Sequence, residues 1–235
     1  MITIKPLASS SRGNAYYISD NITPLLLEAG IPFQEIRKKL NFQTQGIASC
    51  LISHEHQDHS KAVRDVFKAG IDCRMSKGTA EALGVSGHRI IPVEKMKQFE
   101  VGSWTVLPFD TEHDAAEPLG FLLANQAGEK LLFATDTYYI RYKFSGLTHI
   151  IVECNYSRDI LEANVQAGKV PLAMKNRLLH SHFSLEHVKD FFKANELSRV
   201  QEIHLIHLSD GNSDEERFKR EIQELTGKMV FVVPA

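Results

Sequence analysis

The chain has 235 residues, 43% of them hydrophobic, and a formal net charge of −2. That length and composition bury a substantial core, and the charge is too near neutral for a protein that coats nucleic acid through a strongly basic surface. The start Met1-Ile2-Thr3-Ile4-Lys5-Pro6 lacks the build of a signal peptide and no apolar stretch approaches a membrane span, so a cytoplasmic protein with no membrane partner is expected.

In chain order, β-rich runs over 2–7, 15–19, 24–28 and 47–53 are punctuated by Ser9-Ser10-Ser11-Arg12-Gly13-Asn14 and by Ala29-Gly30, with a helix between Pro32 and Leu40. A helix over 61–69, a strand over 72–75 and a helix from Ser76 or Lys77 to near Gly84 follow. Strands are then expected across 89–108 with a turn at 100–103, and at 121–125, 130–134 and 150–153. Amphipathic helices over 185–195 and 215–225 bracket a strand at 202–206, and 229–233 closes the chain as a strand. Length leaves one domain as open as two, no linker-like tract divides these runs, and a single domain over 1–235 would carry two facing sheets with helices outside in a layered α/β arrangement. Monomer and homodimer both stay open. The three cysteines, Cys50, Cys73 and Cys154, are scattered in apolar runs and read as buried reduced thiols.

Chemistry concentrates after the run 47–52, in Ser53-His54-Glu55-His56-Gln57-Asp58-His59-Ser60. Residues two apart in an extended segment point the same way, so His54 and His56 can serve one ion. Asp58 and His59 sit where the chain turns into helix, aimed at a neighbouring position. The competing reading is a set of solvated surface histidines, but four ligand-type residues in six positions favour a metal site. Imidazole and carboxylate without thiolate suit Zn²⁺, Mn²⁺ or Fe²⁺ better than a closed cysteine-built zinc site.

Further ligands are offered after apolar strands: His113 in Thr111-Glu112-His113-Asp114, Asp136 in Ala134-Thr135-Asp136-Thr137, and His207 in Ile206-His207-Leu208-Ser209. Each alone reads more readily as structural, Asp136 as a turn residue and His207 as a strand terminus. Their joint order resembles the metallo-β-lactamase superfamily over nearly the whole chain: His-x-His-x-Asp-His, a lone His, an Asp after an apolar strand, and a final His. The resemblance implies a four-layered αββα sandwich and two divalent ions, Zn²⁺ or Mn²⁺. It places His54, His56 and His113 on one ion, Asp58, His59 and His207 on the second, and Asp136 between them.

Residues 7–18, His113-Asp114-Ala115-Ala116-Glu117-Pro118-Leu119-Gly120 and Val152-Glu153-Cys154-Asn155-Tyr156 resemble the WalJ (YycJ) group, bacterial proteins regarded as DNA exonucleases. Glu153 and Ser181-His182-Phe183-Ser184 fall where the related tRNase Z enzymes have a Glu and a His that act together on the leaving group. The resemblance thus implies a binuclear phosphodiesterase that activates a water steered by Asp58, with His182, oriented by Glu153, as general acid. The alternative for His182 is an exposed loop histidine beside His180 and His187.

One departure stands out: Leu27-Glu28-Ala29-Gly30 has Glu where the superfamily usually has an Asp that supports the metal loop, so Glu28 keeps that role with a longer arm or is purely structural. No insertion between Asp136 and Glu153 is long enough for a tRNA-gripping arm or a second domain. DNA is the leading substrate, with Arg12, Lys175 and Arg177 as candidate phosphate contacts; solvated surface charge competes for each. The runner-up is a small-molecule or cyclic-nucleotide phosphodiesterase. A metal-stabilised binding module and a thioester hydrolase are disfavoured, because neither calls for the Glu153–His182 pair.

Overall fold

A computed structural model describes residues 1–233; Pro234 and Ala235, the end of the expected domain, lie outside the described residues. Strands and helices are mixed as the α/β expectation requires, and the strands belong to two sheets. The chain divides into two compact units, the first built from Met1–Asp110 with Ala115–Glu129, the second from Thr111–Asp114 with the chain from Lys130 onward.

The first unit opens on a hairpin of β1 (Thr3–Ser10) and β2 (Gly13–Ser19). The stretch 9–14, expected as irregular, is largely paired strand with its turn at Ser11-Arg12, because Ser10 pairs with Gly13. Next come β3 (Pro24–Leu27), α1 (Phe33–Lys39), β4 (Ser49–Leu51), α2 (Gln57–Ser60), α3 (Val63–Lys68), β5 (Asp72–Met75), α4 (Lys77–Leu83) and β6 (Ile90–Pro92). The six strands form one sheet in chain order, with β3 to β6 parallel.

The helix expected over 61–69 is α3, and a separate short helix, α2, precedes it, so Asp58 and His59 lie on a helical turn. Helix α4 has the ends its sequence announces: the Ser76 hydroxyl accepts from Thr79 N–H at 3.0 Å, and Gly84 adopts the left-handed conformation that stops it. An antiparallel ladder of β7 (Phe99–Val101), β8 (Trp104–Asp110) and β9 (Leu119–Asn125) completes the unit. Trp104 is buried, with its indole N–H donating to Thr23 O at 2.8 Å.

The segment after β3 ties the sheet to the histidine-bearing turn. Ala29 N–H donates to His59 O, Ala62 N–H to Ala29 O, and Gly30 N–H to Asn14 O, each at 2.8 Å. A Cβ on Gly30 would stand 1.6 Å from Asp58 O, so only glycine lets the two backbones approach this closely. Gly30→Ala is expected to destabilise the protein by about 3 kcal/mol, as overpacking against an immovable backbone does. Denaturant unfolding checks this; a loss under about 0.5 kcal/mol, the level of a neutral surface change, would contradict the tight approach.

The second unit carries the parallel ladder β10 (Lys130–Ala134), β11 (His149–Glu153), β12 (Glu202–Ile206) and β13 (Met229–Val232). The apolar runs 131–134, 150–152 and 203–206, with His204 the only interruption, are buried throughout, as parallel strands covered on both faces require. Around them lie α5 (Arg158–Gln166), α6 (Leu172–Ser181), α7 (Leu185–Ala194) and α8 (Glu215–Thr226). Helix α7 is capped by the Ser184 hydroxyl and buries Leu185, Val188, Phe191 and Phe192, while α8 is capped by Asp214 and buries Phe218 and Ile222. Helices α5 and α6 have no counterpart in the sequence reading. All three cysteines are buried and free, as expected.

Candidate metal centre

The anticipated metal ligands and Glu153 sit at or just beyond the C-terminal end of a strand or in the short helix α2, where open α/β sheets gather ligands, and His182 ends α6. The first unit brings together His54, His56, Asp58 and His59. His54 and His59 rings lie 4.3 Å apart, and His54 Nε2 stands 3.1 Å from His56 Nδ1. The other nitrogens of two of these rings face protein groups: His54 Nδ1 lies at hydrogen-bond distance, 2.8 Å, from Ser53 Oγ, and His59 Nδ1 lies 3.6 Å from Glu28 Oε2, an ion-pair contact.

Glu28 settles the question its sequence raised. It is fully buried, its other oxygen accepts from Ser53 N–H at 3.1 Å, and its backbone has φ 66°, a strained value for a residue with a side chain. Burial pushes the carboxyl above its ordinary value, against the pull of His59 and Ser53. It therefore braces both ends of the histidine segment with a longer arm than Asp has. Asn14, which sequence reasoning missed as a site residue, packs its amide 3.3 Å from His59 Nε2 and donates to Ser10 O and Asp58 O. Its signals are its place after Gly13 in the serine-rich turn and within the segment 7–18 that resembles the WalJ (YycJ) group.

In the second unit, ligand atoms of Asp136, Glu153, His182 and His207 all lie within 4.8 Å of one another. Asp136, two residues past β10, is buried and left-handed at φ 43°, and His207, one past β12, at φ 54°. Strain at two such residues is characteristic of a functional site. The Asp136 carboxylate faces two ways: Oδ1 is 2.8 Å from His207 Nδ1 and accepts from Thr135 Oγ1, while Oδ2 is 3.5 Å from His113 Nε2. His113 Nδ1 lies 2.8 Å from Ser181 O, which leaves Nε2 turned to Asp136. Burial lowers the His113 pKa despite the neighbouring Asp136, favouring the neutral imidazole that ligates metals.

Glu153, the last residue of β11, is fully buried and serves as a hub. Oε1 is 2.6 Å from His182 Nδ1 and 3.0 Å from His207 Nδ1; Oε2 accepts from Thr137 N–H and Phe183 N–H, both at 3.1 Å. Burial pulls its pKa up, but the charge and hydrogen bond of His182 outweigh this and hold it below the usual range. The reciprocal effect holds His182 up: burial disfavours its cation, and the Glu153 charge and hydrogen bond, helped by Asp136, prevail. His182 is thus no free loop histidine; it ends α6 with 14% of its side chain exposed.

Of the three anticipated phosphate contacts, Lys175 pairs with Glu162, and Arg177 pairs with Asp114 at 3.1 Å. Arg12 lies exposed at the turn between β1 and β2. The donor set fits divalent metal binding: neutral or neutralisable imidazoles with one nitrogen held and the other turned inward, buried carboxylates beside them, and cysteines elsewhere. No helix among the described residues is long and apolar enough to cross a membrane.

The family model described as Beta-lactamase superfamily domain matches residues 25–207, a span that starts before the first histidine cluster and ends on His207. The chain is 27% identical over 229 residues to exodeoxyribonuclease WalJ of Streptococcus pneumoniae serotype 2 (strain D39 / NCTC 7466), covering 89% of this chain and 82% of that protein. It is also 27% identical over 248 residues to exodeoxyribonuclease YycJ of Bacillus anthracis, covering 97% and 90%. Among solved structures, the metallo-beta-lactamase fold protein YhfI of Bacillus subtilis matches with a TM-score of 0.75 at 14% identity, covering 100% of this chain and 96% of that one. With the matched span, the relatives and the donor set in agreement, the chain belongs to the beta-lactamase superfamily and is a metal-dependent hydrolase of metallo-β-lactamase fold.

Proposed function

We propose that the protein is a binuclear phosphodiesterase, working as one catalytic domain and acting on DNA as an exonuclease. The observation that carries the reading is the Glu153–His182 pair beside Asp136 and His207, which sets a proton donor next to metal-type ligands. The names of the WalJ and YycJ relatives support DNA as substrate.

In this reading His54, His56 and His113 would hold one ion, Asp58, His59 and His207 would hold the other, and Asp136, whose two oxygens face His113 and His207, would be available to both. Divalent ions bound there supply charge neutralisation on a phosphodiester and lower the pKa of a water. Asp58, with part of its side chain exposed, steers the attacking water. His182 gives its proton to the departing sugar oxygen. Glu153 holds His182 Nδ1, so the proton leaves from the other ring nitrogen, Nε2, and the same carboxylate fixes the backbone of Thr137 and Phe183 on either side. Burial of Asp136 and Glu153 keeps bulk water from competing for these groups.

The test is incubation of Mn²⁺- or Zn²⁺-loaded protein with end-labelled single- and double-stranded DNA, RNA and a panel of cyclic nucleotides. DNA ends are expected to be cleaved faster than cyclic mononucleotides, with binding weakening as salt rises because phosphate contacts release counterions. Rapid cyclic-nucleotide turnover with no attack on DNA would transfer the reading to a small-molecule phosphodiesterase.

A further inference from the structure

The segment after Asp136, Thr137-Tyr138-Tyr139-Ile140-Arg141-Tyr142-Lys143, interleaves aromatic and basic residues, and its part from Tyr139 to Lys143 forms one wall of a cavity of ≈ 250 Å³. Phe183 and the α7 residues His187, Asp190 and Phe191 form much of the remainder. Ile140, Phe183 and Phe191 are buried and give an apolar floor, while Tyr139 stands 52% exposed at the mouth and Arg141 and Lys143 are exposed beside it.

The wall is built, not loose. Thr137 N–H is held by Glu153, Tyr138 N–H donates to Glu112 O at 3.1 Å, His187 Nδ1 lies 3.0 Å from Tyr138 O, and Arg141 pairs with Glu112. The Glu153 carboxylate that orients His182 thus also holds the lining residue Phe183, and Thr137, two residues before the wall begins.

We propose that this cavity receives a nucleobase of the DNA strand, the one attached to the leaving-group nucleotide, with Tyr139 as its stacking platform. The inference rests on the phosphodiesterase reading. Four observations commit the occupant. The volume lies below the roughly 300–1,000 Å³ of sites that enclose drug-sized ligands, so it takes a single ring system. Its lining includes the aromatic rings of Tyr139, Tyr142, Phe183 and Phe191, which suit any base through its π-face. Lys143, exposed at the rim, has the sign that a flanking phosphate needs, while Arg141 beside it pairs with Glu112. Phe183, which lines the cavity, is held through its N–H by the same Glu153 carboxylate that orients His182, and this ties the lining to the leaving-group side of the site.

The experiment compares wild type, Tyr139→Ala and Tyr139→Phe on a single-stranded oligo(dA), the same strand with an abasic residue on the leaving side, and bis-(p-nitrophenyl) phosphate. Tyr139→Ala is expected to lower the ratio of kcat/KM for oligo(dA) over the nitrophenyl diester roughly tenfold or more, mainly through KM, as loss of one base–aromatic stack does. Tyr139→Phe should restore the ratio, and the abasic strand should be insensitive to Tyr139→Ala. An unchanged ratio, or equal loss on normal and abasic strands, overturns the proposal. Should wild type cleave no DNA, the nuclease reading fails separately, and anisotropy of labelled oligo(dA) still decides on the cavity: equal Kd for wild type and Tyr139→Ala rejects it, and a roughly tenfold weaker Kd supports it.

Discussion

His182→Ala is expected to cut hydrolysis of a nucleotide diester by roughly 10²-fold or more while leaving metal content intact. A general acid matters in proportion to how badly the leaving oxygen needs a proton: a sugar alkoxide needs one and a nitrophenolate does not. Activity on bis-(p-nitrophenyl) phosphate should therefore fall much less. The geometry supports this role because Glu153 Oε1, 2.6 Å from Nδ1, fixes the ring and favours its protonated form. Glu153→Gln should also lower the rate on nucleotide diesters, since an amide replaces the charge facing His182, His207 and two backbone N–H groups. Equal loss on both substrates would make His182 a phosphate-positioning group, and no loss on either would make it structural.

The second large effect concerns Asp136→Ala, which should remove most of the bound metal and with it all measurable turnover. Asp136 is 3% exposed, turns one oxygen toward His113 and the other toward His207, and is held in a strained backbone by its surroundings. Alanine removes both oxygens at once and leaves two imidazoles without their shared carboxylate. Asp58→Ala is the informative contrast, expected to retain the ion held by His54, His56 and His113 while abolishing activity. Elemental analysis of each variant separates the cases, and metal content unaffected by Asp136→Ala would refute a shared ligand.

Much of the site was legible because its signals are local. His54, His56, Asp58 and His59 fall within six residues, and Asp136 and His207 follow unbroken apolar strands whose bounds the structure reproduces closely. Glu153 and His182 needed the family resemblance, since nothing local relates a strand-end carboxylate to a histidine 29 positions away. The bracing by Glu28 and Asn14 was hidden for a related reason: it depends on β3 and β4 pairing in parallel and on Gly30 admitting the Asp58 backbone. Helices α5 and α6 escaped because they bury little, Leu161 and Ser181 among them, while Leu172 and Met174 stay exposed and blur the period. The break between α2 and α3 carries no glycine or proline to announce it.

The most direct measurement is titration of metal-free wild-type protein with Mn²⁺ while following both bound metal and cleavage of end-labelled DNA. The account predicts that DNA cleavage rises to its plateau only as about two ions bind per chain, the number that seven ligands of this type call for. Full activity at one ion per chain, or two bound ions with no hydrolysis of any phosphodiester, would contradict it.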